Sequence, residues 1–394
     1  MSQAIVAGAV RTAIGTFGGA LKDVPPQQLG AKVIQSAAER AQLPLAKVDE
    51  VILGMIYQGG QGSNPARQAA VHAGVPYEVP SMGINKMCGS GLRAITLAAA
   101  ATNSGESDVV IAGGMESMSQ VPYALLSARW GVRIGHGEIT DLMILDGLWD
   151  CFYDCHMGIT AENLAEEYDI PRQDQDAFAL QSQERYAAAQ QRGLFDEEIV
   201  PVHIPQRKGD PEVVFDVDEH PRKDTSLERL GQLEAAFKKG GTVTAGNASG
   251  INDGAAAVVV MSDAEAERLG IEPLATIVDW VSVGVDPRIM GIGPAPAIRA
   301  LLKRATLDLT DIDLIEVNEA FAAQTLAVGK DLGWDEERVN VNGGAIALGH
   351  PVGASGARIA ITLIHEMQRR GAKRGIAALC IGGGMGIAVL FERP

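Results

Sequence analysis

The sequence predicts an α/β protein made of two homologous halves, with a segment inserted into the first half. Extended apolar stretches alternate with helical periodicity along the 394 residues, which is typical of parallel strands joined by helical crossovers. Three short motifs recur in the same order, at offsets of 264, 265 and 270 residues. Between them, residues 119–244 are enriched in Trp, Tyr and charged side chains. Together these observations predict duplicated halves and an insert.

The first half alternates between extended and helical stretches. Leu29, Val33, Ile34 and Ala37 share one helix face, and Pro65 stands where the first turn of another helix is expected. We therefore predict strands over 4–9, 48–56, 81–87, 108–112 and 255–261, and helices over 29–41, 64–73 and 92–101.

The second half echoes short segments of the first. The paired segments are 48–54 with 312–318, Ser90-Gly91-Leu92-Arg93 with Ser355-Gly356-Ala357-Arg358, and 111–115 with 381–385. Small residues recur by chance, so the shared order favours duplication more than any single match does. We predict strands over 274–285, 314–317 and 376–379, helices over 294–305 and 319–332, and a glycine-rich loop over 340–356.

The predicted division of the chain has three parts. They are an N-terminal half (1–118 plus 245–272), an inserted loop domain (119–244) and a C-terminal half (273–394). Within the insert we predict helices over 161–167 and 173–192 and a mixed turn and strand region over 194–216. Basic residues near the end of the insert either form a local anion-binding patch or are ordinary solvated surface: Arg222, Lys223, Arg229, Lys238 and Lys239.

Composition disfavours several classes of function. A net charge of −16 disfavours a nucleic-acid partner, which calls for a basic domain. No apolar run approaches the roughly 18 residues that span a membrane. The chain runs into a strand almost at once, without a signal or transit segment, so we expect a cytoplasmic protein. The four scattered cysteines match neither a disulfide framework nor a zinc site, and no metal is predicted.

Cys88 stands at the point where the chain passes from a strand to a helix. It follows the extended stretch 81–87 and precedes the small-residue turn Gly89-Ser90-Gly91. A thiol at a helix N-terminus faces unpaired N–H groups and the positive end of the dipole, which favour the thiolate. The arrangement is that of a nucleophile elbow with Cys in place of Ser. The alternative is a small buried side chain, which most free cysteines are.

Three further candidates lie in the second half. Asn318 follows a strand and is either a site residue or a helix N-cap. His350 stands between Gly349 and Pro351 in the predicted glycine-rich loop, which disfavours a position on an apolar core face. Cys380 ends an apolar strand and is either a site thiol or a buried one. If the halves pack about a pseudo-twofold axis, these strand ends converge with Cys88, as ligand sites do at the carboxyl ends of parallel strands.

The sequence resembles the thiolase family over essentially its whole length. The resemblance rests on these motifs: Asn85-Lys86-Met87-Cys88-Gly89-Ser90-Gly91, Ala112-Gly113-Gly114-Met115-Glu116-Ser117-Met118, Ala245-Gly246-Asn247-Ala248-Ser249-Gly250, Asn318-Glu319-Ala320-Phe321, Gly349-His350-Pro351 and Cys380-Ile381-Gly382-Gly383-Gly384-Met385-Gly386. It implies a thiolase-like α/β fold whose two βαβ-type halves pack in α/β/α/β/α layers, with an inserted loop domain.

The resemblance also implies roles. Cys88 would accept the acyl group, and His350 would take its proton and help hold the thioester oxygen. Asn318 would position a water at that oxygen. Cys380 would remove or return the α-proton of the second acyl-CoA. The N–H groups of Cys88 and Gly382 would form the other oxyanion hole.

By resemblance, further residues would contact acyl-CoA. Ser249 would touch the pantetheine, Leu148, His156 and Met157 would line its channel, and Arg222 would lie near the adenine. Substrate contacts are also implied for Ala320 and Phe321 in the Asn318 motif. Met157 and Met290 would narrow the acyl pocket, as in the biosynthetic members.

The implied reaction is a ping-pong Claisen condensation of two acetyl-CoA into acetoacetyl-CoA and CoA. It is reversible and needs no metal or organic cofactor, because CoA thioesters are the substrates. A homotetramer built from dimers is implied, with neither nucleic acid nor membrane as a partner.

Three alternatives stay open at this point. A degradative thiolase would prefer longer 3-ketoacyl-CoA substrates. A decarboxylating ketoacyl synthase would pair its cysteine with two histidines, which Cys380 argues against. A redox-sensing or CoA-binding protein without turnover would use the two thiols as a disulfide.

Overall fold

The computed structural model describes residues 3–206 and 211–394. Residues 1–2 of the predicted N-terminal half and 207–210 of the predicted turn and strand region lie outside the described residues. The strands are β1 (Ala4–Thr12), β2 (Gly15–Thr16), β3 (Glu50–Gly54), β4 (Ser81–Ile84), β5 (Val109–Ser117), β6 (Tyr123–Ala124), β7 (Thr140–Asp141), β8 (Trp149–Asp150), β9 (Cys155–His156), β10 (Ile199–Val200), β11 (Val202–Ile204), β12 (Val213–Phe215), β13 (Asn252–Ser262), β14 (Ala275–Gly284), β15 (Leu314–Val317), β16 (Arg374–Ile381) and β17 (Met385–Glu392).

The helices confirm most of the predicted ranges to within a few residues. They are α1 (Pro26–Arg40), α2 (Pro65–His72), α3 (Ser90–Ser104), α4 (Met157–Glu167), α5 (Arg172–Gln191), α6 (Leu227–Gly231), α7 (Asp263–Leu269), α8 (Pro294–Ala305), α9 (Ala322–Leu332), α10 (Ala345–Leu348) and α11 (Val352–Arg370). Short 3-10 turns and the π-helical segment Ile144–Leu148 lie between them.

The predicted loop over 340–356 is wrong in part. The short helix α10 lies inside it, and α11 begins at Val352, directly after Pro351. The glycines there did not indicate a loop, because Gly353 and Gly356 lie within α11.

The strands of the two halves form one mixed sheet of 11 strands. Its order is β15-β16-β17-β14-β1-β13-β5-β3-β4, with β10 beside β1 and β2 beside β13. The second half supplies one side of the sheet and the first half the other. They join between β1 and β14 through two pairs, Ile5 with Thr276 and Val6 with Ala275.

The helices form one layer between the two parts of this sheet and one layer on the outer face of each part. The cluster between the two halves contains residues of α3 and α11 with inward-facing residues of β5, β13, β16 and β17. Residues of α1 and α2 cover the other face of the first half, and α8 covers that of the second. The α/β/α/β/α layering implied by the resemblance is therefore confirmed.

The echoed Ser-Gly motifs lie where the central helices α3 and α11 cross. A Cβ on Gly91 would lie 2.7 Å from the backbone N of Ala357, and one on Gly356 would lie 2.3 Å from the backbone N of Leu92. Glycine at both positions lets the two backbones approach closely. The repeated Ser-Gly motif therefore provides the close helix contact between the two halves.

The third predicted echo is wrong as a structural correspondence. Gly113 and Gly114 lie inside β5, whereas Gly383 and Gly384 form the turn between β16 and β17, each with a positive φ. Glycine is abundant in this chain and matches by chance.

The insert contains α4, α5 and α6 with three small two-stranded pairings: β6 with β7, β8 with β9, and β11 with β12. The residue boundaries of the three predicted parts stay a prediction. Within 3–206 and 211–394, no helix is both long and apolar enough to cross a membrane.

Candidate active site

Cys88 lies in a strained turn between β4 and α3. Met87 has a φ of 47°, in the left-handed region that a non-glycine residue rarely adopts. The Ser90 hydroxyl donates to the Met87 carbonyl at 2.6 Å and accepts from the Lys86 N–H at 2.8 Å. The Asn85 side chain accepts from the Met87 N–H at 2.9 Å. These bonds hold a strained turn of the kind that concentrates at functional sites.

The Cys88 thiol sits among backbone N–H groups. Burial raises its pKa to about 11, hydrogen bonds from the N–H groups of Gly382 and Cys88 itself lower it, and the nearby Glu116 raises it. The sequence predicts that the helix N-terminus favours a thiolate, but burial outweighs that effect. The two N–H groups are placed to stabilise negative charge that develops next to the sulfur.

His350 is buried between α10 and α11, and its position is set from several sides. Its backbone N–H donates to Asn252 Oδ1 at 2.8 Å. Its Nδ1 lies 2.6 Å from Ser355 Oγ, and its Nε2 lies 3.3 Å from Asn318 Nδ2. Burial, together with the smaller effect of the positive charge of Arg358, lowers the pKa of His350 to about 3. The imidazole is therefore neutral at physiological pH.

Asn318 follows β15, and its side chain turns toward His350. The alternative role of helix N-cap is wrong, because α9 begins at Ala322 with Phe321 at the N-cap position. Within the part of the chain that the structure describes, the buried Oδ1 of Asn318 has no hydrogen-bond partner. A buried acceptor without a partner is costly, so this oxygen is poised to bind a water or ligand.

Cys380 is buried near the end of β16 in an apolar cluster. Burial raises the pKa of its thiol, and so does the charge of Cys88, which places the two thiols within electrostatic reach. A thiol with a raised pKa is a strong base once it has lost its proton. Cys380 also lies in the strand that leads directly to Gly382, whose N–H faces the Cys88 thiol.

Most of the predicted acyl-CoA residues surround the two thiols. Met157, Met290, Ala320 and Phe321 belong to the apolar cluster of Cys380. Leu148 belongs to the cluster that contains Cys88 and lies at the end of the π-helical segment. A π-helical turn of this kind is frequent at functional sites.

Two other predicted residues contact members of that cluster. His156 caps α4 by accepting from the Gly158 N–H at 3.0 Å, and its ring stacks on Phe237 at 4.5 Å. The backbone N–H of Ser249 donates to Ala320 O at 3.0 Å, which joins the Ser249 loop to the Asn318 motif. Phe237 was missed by the sequence reasoning, since its signal is a lone aromatic residue in the insert.

Arg222 is exposed and lines a cleft whose lining residues do not include the two thiols. This surface cleft, of about 320 Å³, is also lined by Lys223, Arg229 and His220. The cleft also reaches Ala245 and Gly246, near the Ser249 loop. The arrangement can attract an anionic group to this surface.

Glu116 lies close enough to Cys88 for its charge to raise the pKa of that thiol. The sequence motif that contains Glu116 predicts no role for it. Its carboxylate accepts from the N–H groups of Ile56 at 2.9 Å, Tyr57 at 3.2 Å and Gly353 at 3.0 Å. Burial raises its pKa to about 7 although these bonds lower it. Glu116 therefore ties the segment after β3 to the start of α11. In the sequence, the available signal was a lone acidic residue directly after the apolar, glycine-rich stretch 109–115.

The assembled groups can perform acyl transfer and proton abstraction. One thiol at a strained turn can act as a nucleophile, and a neutral imidazole and a second buried thiol can move protons. Backbone N–H groups and Asn318 can stabilise an oxyanion.

Comparison with known proteins agrees with this arrangement. The chain matches the thiolase N-terminal domain over residues 4–264 and the thiolase C-terminal domain over residues 271–393. The acetyl-CoA acetyltransferase of Cupriavidus necator is 57% identical over 393 residues, with 100% of both chains covered.

The fold is also similar to those of solved structures. The acetyl-CoA acetyltransferase of Bacillus anthracis superimposes with a TM-score of 0.98 at 51% identity, covering 100% of this chain and 99% of that one. Human mitochondrial 3-ketoacyl-CoA thiolase superimposes with a TM-score of 0.97 at 44% identity and the same coverage. Because the two domain matches together span nearly the whole sequence, the chain belongs to the thiolase family.

Proposed function

We propose that the protein is an acyltransferase that condenses two acetyl-CoA molecules into acetoacetyl-CoA and CoA, reversibly and through a Cys88 acyl-enzyme. The observation that carries this proposal is that the Cys88 thiol of the first half lies within electrostatic reach of Cys380 and beside the N–H of Gly382, both in the second half. The contact of Asn318 with His350 supplies the remaining groups. Full-length relatives named acetyl-CoA acetyltransferase support the choice of substrate.

In the first half-reaction the Cys88 sulfur attacks the thioester carbonyl while its proton passes to His350 Nε2. The N–H groups of Cys88 and Gly382 stabilise the resulting oxyanion, a contribution of about 3 kcal/mol or more for one such donor in other enzymes. Cys380 gives its proton to the departing CoA sulfur. The site then holds an acetylated Cys88, a Cys380 thiolate and a protonated His350.

In the second half-reaction the Cys380 thiolate removes an α-proton from the second acetyl-CoA. His350 and a water held by Asn318 Oδ1 stabilise the enolate oxygen. The enolate carbon attacks the acetyl group, and the Cys88 thiolate leaves and recovers its proton from His350. Charges and protons balance over the cycle, and these side chains and N–H groups supply every step without a metal or organic cofactor.

The distribution of charge indicates where the CoA part of the substrate binds. Ser249, His156, Met157 and Leu148 line the route of the pantetheine arm toward the thiols, and the Arg222 cleft binds the anionic nucleotide end. Because the net charge of the protein is −16, attraction of this anion relies on a local patch. Arg222→Gln should raise KM for acetyl-CoA and leave kcat nearly unchanged, with Lys239→Gln, on exposed surface, as the matched control.

A thiolase that prefers longer 3-ketoacyl-CoA substrates is the second candidate. The structural similarity to human mitochondrial 3-ketoacyl-CoA thiolase favours it. The apolar cluster that contains Met157, Met290 and Phe321 favours a short acyl group by filling the space beside Cys380.

A chain-length profile decides between the two candidates. Purified, reduced protein is assayed for thiolysis of 3-ketoacyl-CoA substrates from four to sixteen carbons. We expect kcat/KM to be highest for acetoacetyl-CoA; a maximum at longer chains supports the second candidate. Intact CoA binding without turnover on any substrate would instead support a redox-sensing or CoA-binding protein.

We also propose a homotetramer built from dimers. The segment between β6 and β7 exposes large apolar side chains, among them Trp130 at 88% and Ile134 at 97%, and β4 forms an edge of the central sheet. Exposed apolar side chains in one segment are typical of an interface. Ile134→Asp should convert tetramer to dimer in light scattering, whereas Leu227→Asp, at another exposed leucine, should not.

The proposed location is the cytoplasm. The cysteines Cys88, Cys151, Cys155 and Cys380 are all free, and Cys88 must be reduced to act as a nucleophile. A reducing compartment maintains that state. Fractionation of the producing cell with an antibody to the protein tests the location.

A further inference from the structure

Ser355 lies in the first turn of α11 and is buried against His350. Its Oγ is 2.6 Å from His350 Nδ1 and 2.9 Å from the carbonyl oxygen of Pro351. The residue is 1% exposed, so this hydroxyl is satisfied by protein groups. It belongs to the repeated Ser-Gly motif, to which the proposed reaction assigns no role.

The two contacts of the Ser355 hydroxyl determine which partner receives its proton. A carbonyl oxygen can only accept, and a hydroxyl has a single proton to donate. When that proton is donated to Pro351, as in other helical serines that bond the carbonyl four residues back, Oγ is left as an acceptor toward His350. The group that faces it must then be Nδ1–H.

The contact on the other side of the ring gives the same assignment independently. Asn318 Nδ2 donates and cannot accept, and it lies 3.3 Å from His350 Nε2. Nε2 must therefore present its lone pair. The opposite tautomer would require the Ser355 hydroxyl to turn away from Pro351 and the Asn318 amide to reverse, two changes at once.

We propose that Ser355 is a positioning residue that holds neutral His350 in the Nδ1–H tautomer, so that the Nε2 lone pair faces the site. During acylation the Cys88 S–H bond breaks and an Nε2–H bond forms, and the imidazolium keeps its Nδ1–H donated to Ser355. This consequence for rate rests on the proposed function. The tautomer itself is a property of the free protein.

The direct test is nuclear magnetic resonance of the full-length protein, free of substrate and labelled with ¹⁵N-histidine. The ¹⁵N shifts separate a protonated from an unprotonated ring nitrogen, and a spectrum of His350→Asn identifies the signals that belong to His350 among the seven histidines. We expect a protonated Nδ1 and an unprotonated Nε2 at neutral pH. A protonated Nε2 with a bare Nδ1 would overturn the proposal.

Three variants connect the tautomer to rate. Ser355→Ala removes the acceptor and should slow acetylation of Cys88 by about 10- to 100-fold, within the range of general base catalysis, with KM for acetyl-CoA changed by less than about twofold. Ser355→Thr keeps the hydroxyl and should restore both the rate and the Nδ1–H signal. Thr362→Ala removes another buried hydroxyl of α11, one that bonds Glu198 at 3.2 Å, and should change neither.

The outcomes separate this proposal from the proposed function. The Nδ1–H tautomer in a protein without thiolase activity leaves the Ser355 inference standing and removes the function. Full activity with the Nε2–H tautomer does the reverse. A Ser355→Ala variant that acetylates Cys88 as fast as the unchanged protein also contradicts the positioning role. Should Ser355→Ala fail to fold, the spectrum of the unchanged protein still decides.

Discussion

The backbone N–H of Gly382 donates a hydrogen bond to the thiol of Cys88, so the second half of the chain completes the surroundings of a cysteine in the first. Gly382 follows β16, and Cys88 precedes α3. A Cβ at Gly382 would lie 3.0 Å from Cε of Met157 and 3.3 Å from Cε of Met87. The N–H donor is thus held in a narrow space between two methionines, which is the kind of preorganisation that oxyanion stabilisation requires.

Removal of the Cys88 sulfur should abolish covalent acyl transfer. Cys88→Ala leaves no nucleophile at the strained turn, and we expect no stoichiometric label after incubation with radiolabelled acetyl-CoA. The measurement is label retained after denaturation and gel filtration. One acetyl group per chain on the variant would show that the acceptor is another residue.

The two thiols should be separable in their roles. Cys380→Ser should still acetylate Cys88, because the nucleophile and its N–H donors remain, although more slowly, since Cys380 also gives its proton to the departing CoA sulfur. Condensation should fall further, by a factor of about 10² or more, because a hydroxyl is a poor base in this apolar cluster. Rapid-quench measurement of acetylation and a coupled assay of acetoacetyl-CoA formation check the two steps. Cys151→Ser, at an exposed thiol, is the matched control. Condensation at the unchanged rate in Cys380→Ser would place the base elsewhere.

Alkylation of Cys88 in the free protein should accelerate with pH. Burial raises the pKa of this thiol to about 11, and the pKa of His350 is lowered to about 3, so both groups are neutral at pH 7. A thiol below its pKa gains about tenfold in thiolate per pH unit, and the thiolate is the reactive form. The rate with iodoacetamide should therefore rise without a plateau between pH 7 and 9.

The control for this measurement is the Cys88→Ala variant, whose remaining thiols give the background rate at each pH. A plateau reached below pH 8 would indicate a Cys88 thiolate paired with a protonated His350, contrary to the expectation.

The crossing of α3 and α11 should not tolerate a methyl group. Gly356→Ala places a Cβ 2.3 Å from the backbone N of Leu92, and backbone cannot move aside as a flexible side chain can. We expect the free energy of unfolding to fall by about 1–3 kcal/mol or more, measured by denaturant titration. Gly231→Ala, in α6, meets no atom within 4 Å and serves as the control. Equal stability of the two variants would contradict the close approach.

Most members of the candidate site carry a local signal in the sequence, and their roles stay a prediction. Cys88 lies between a strand and a small-residue turn, and His350 is flanked by Gly and Pro in a position unlike a core helix. Asn318 was ambiguous between cap and site, because both roles place an Asn after a strand. The contact of its side chain with His350 resolves that ambiguity, and no local pattern contains it.

Sequence periodicity and composition by themselves determined the alternation of strands and helices, and local motifs pointed to Cys88, His350 and Cys380 as candidate site residues. Each of these depends on neighbours along the chain. The tertiary structure alone decided that two glycines of a repeated motif face each other across α3 and α11, that Ser355 directs the His350 ring, and that burial outweighs the helix N-terminus at Cys88. These depend on packing between distant segments, where desolvation and backbone contact override local preference.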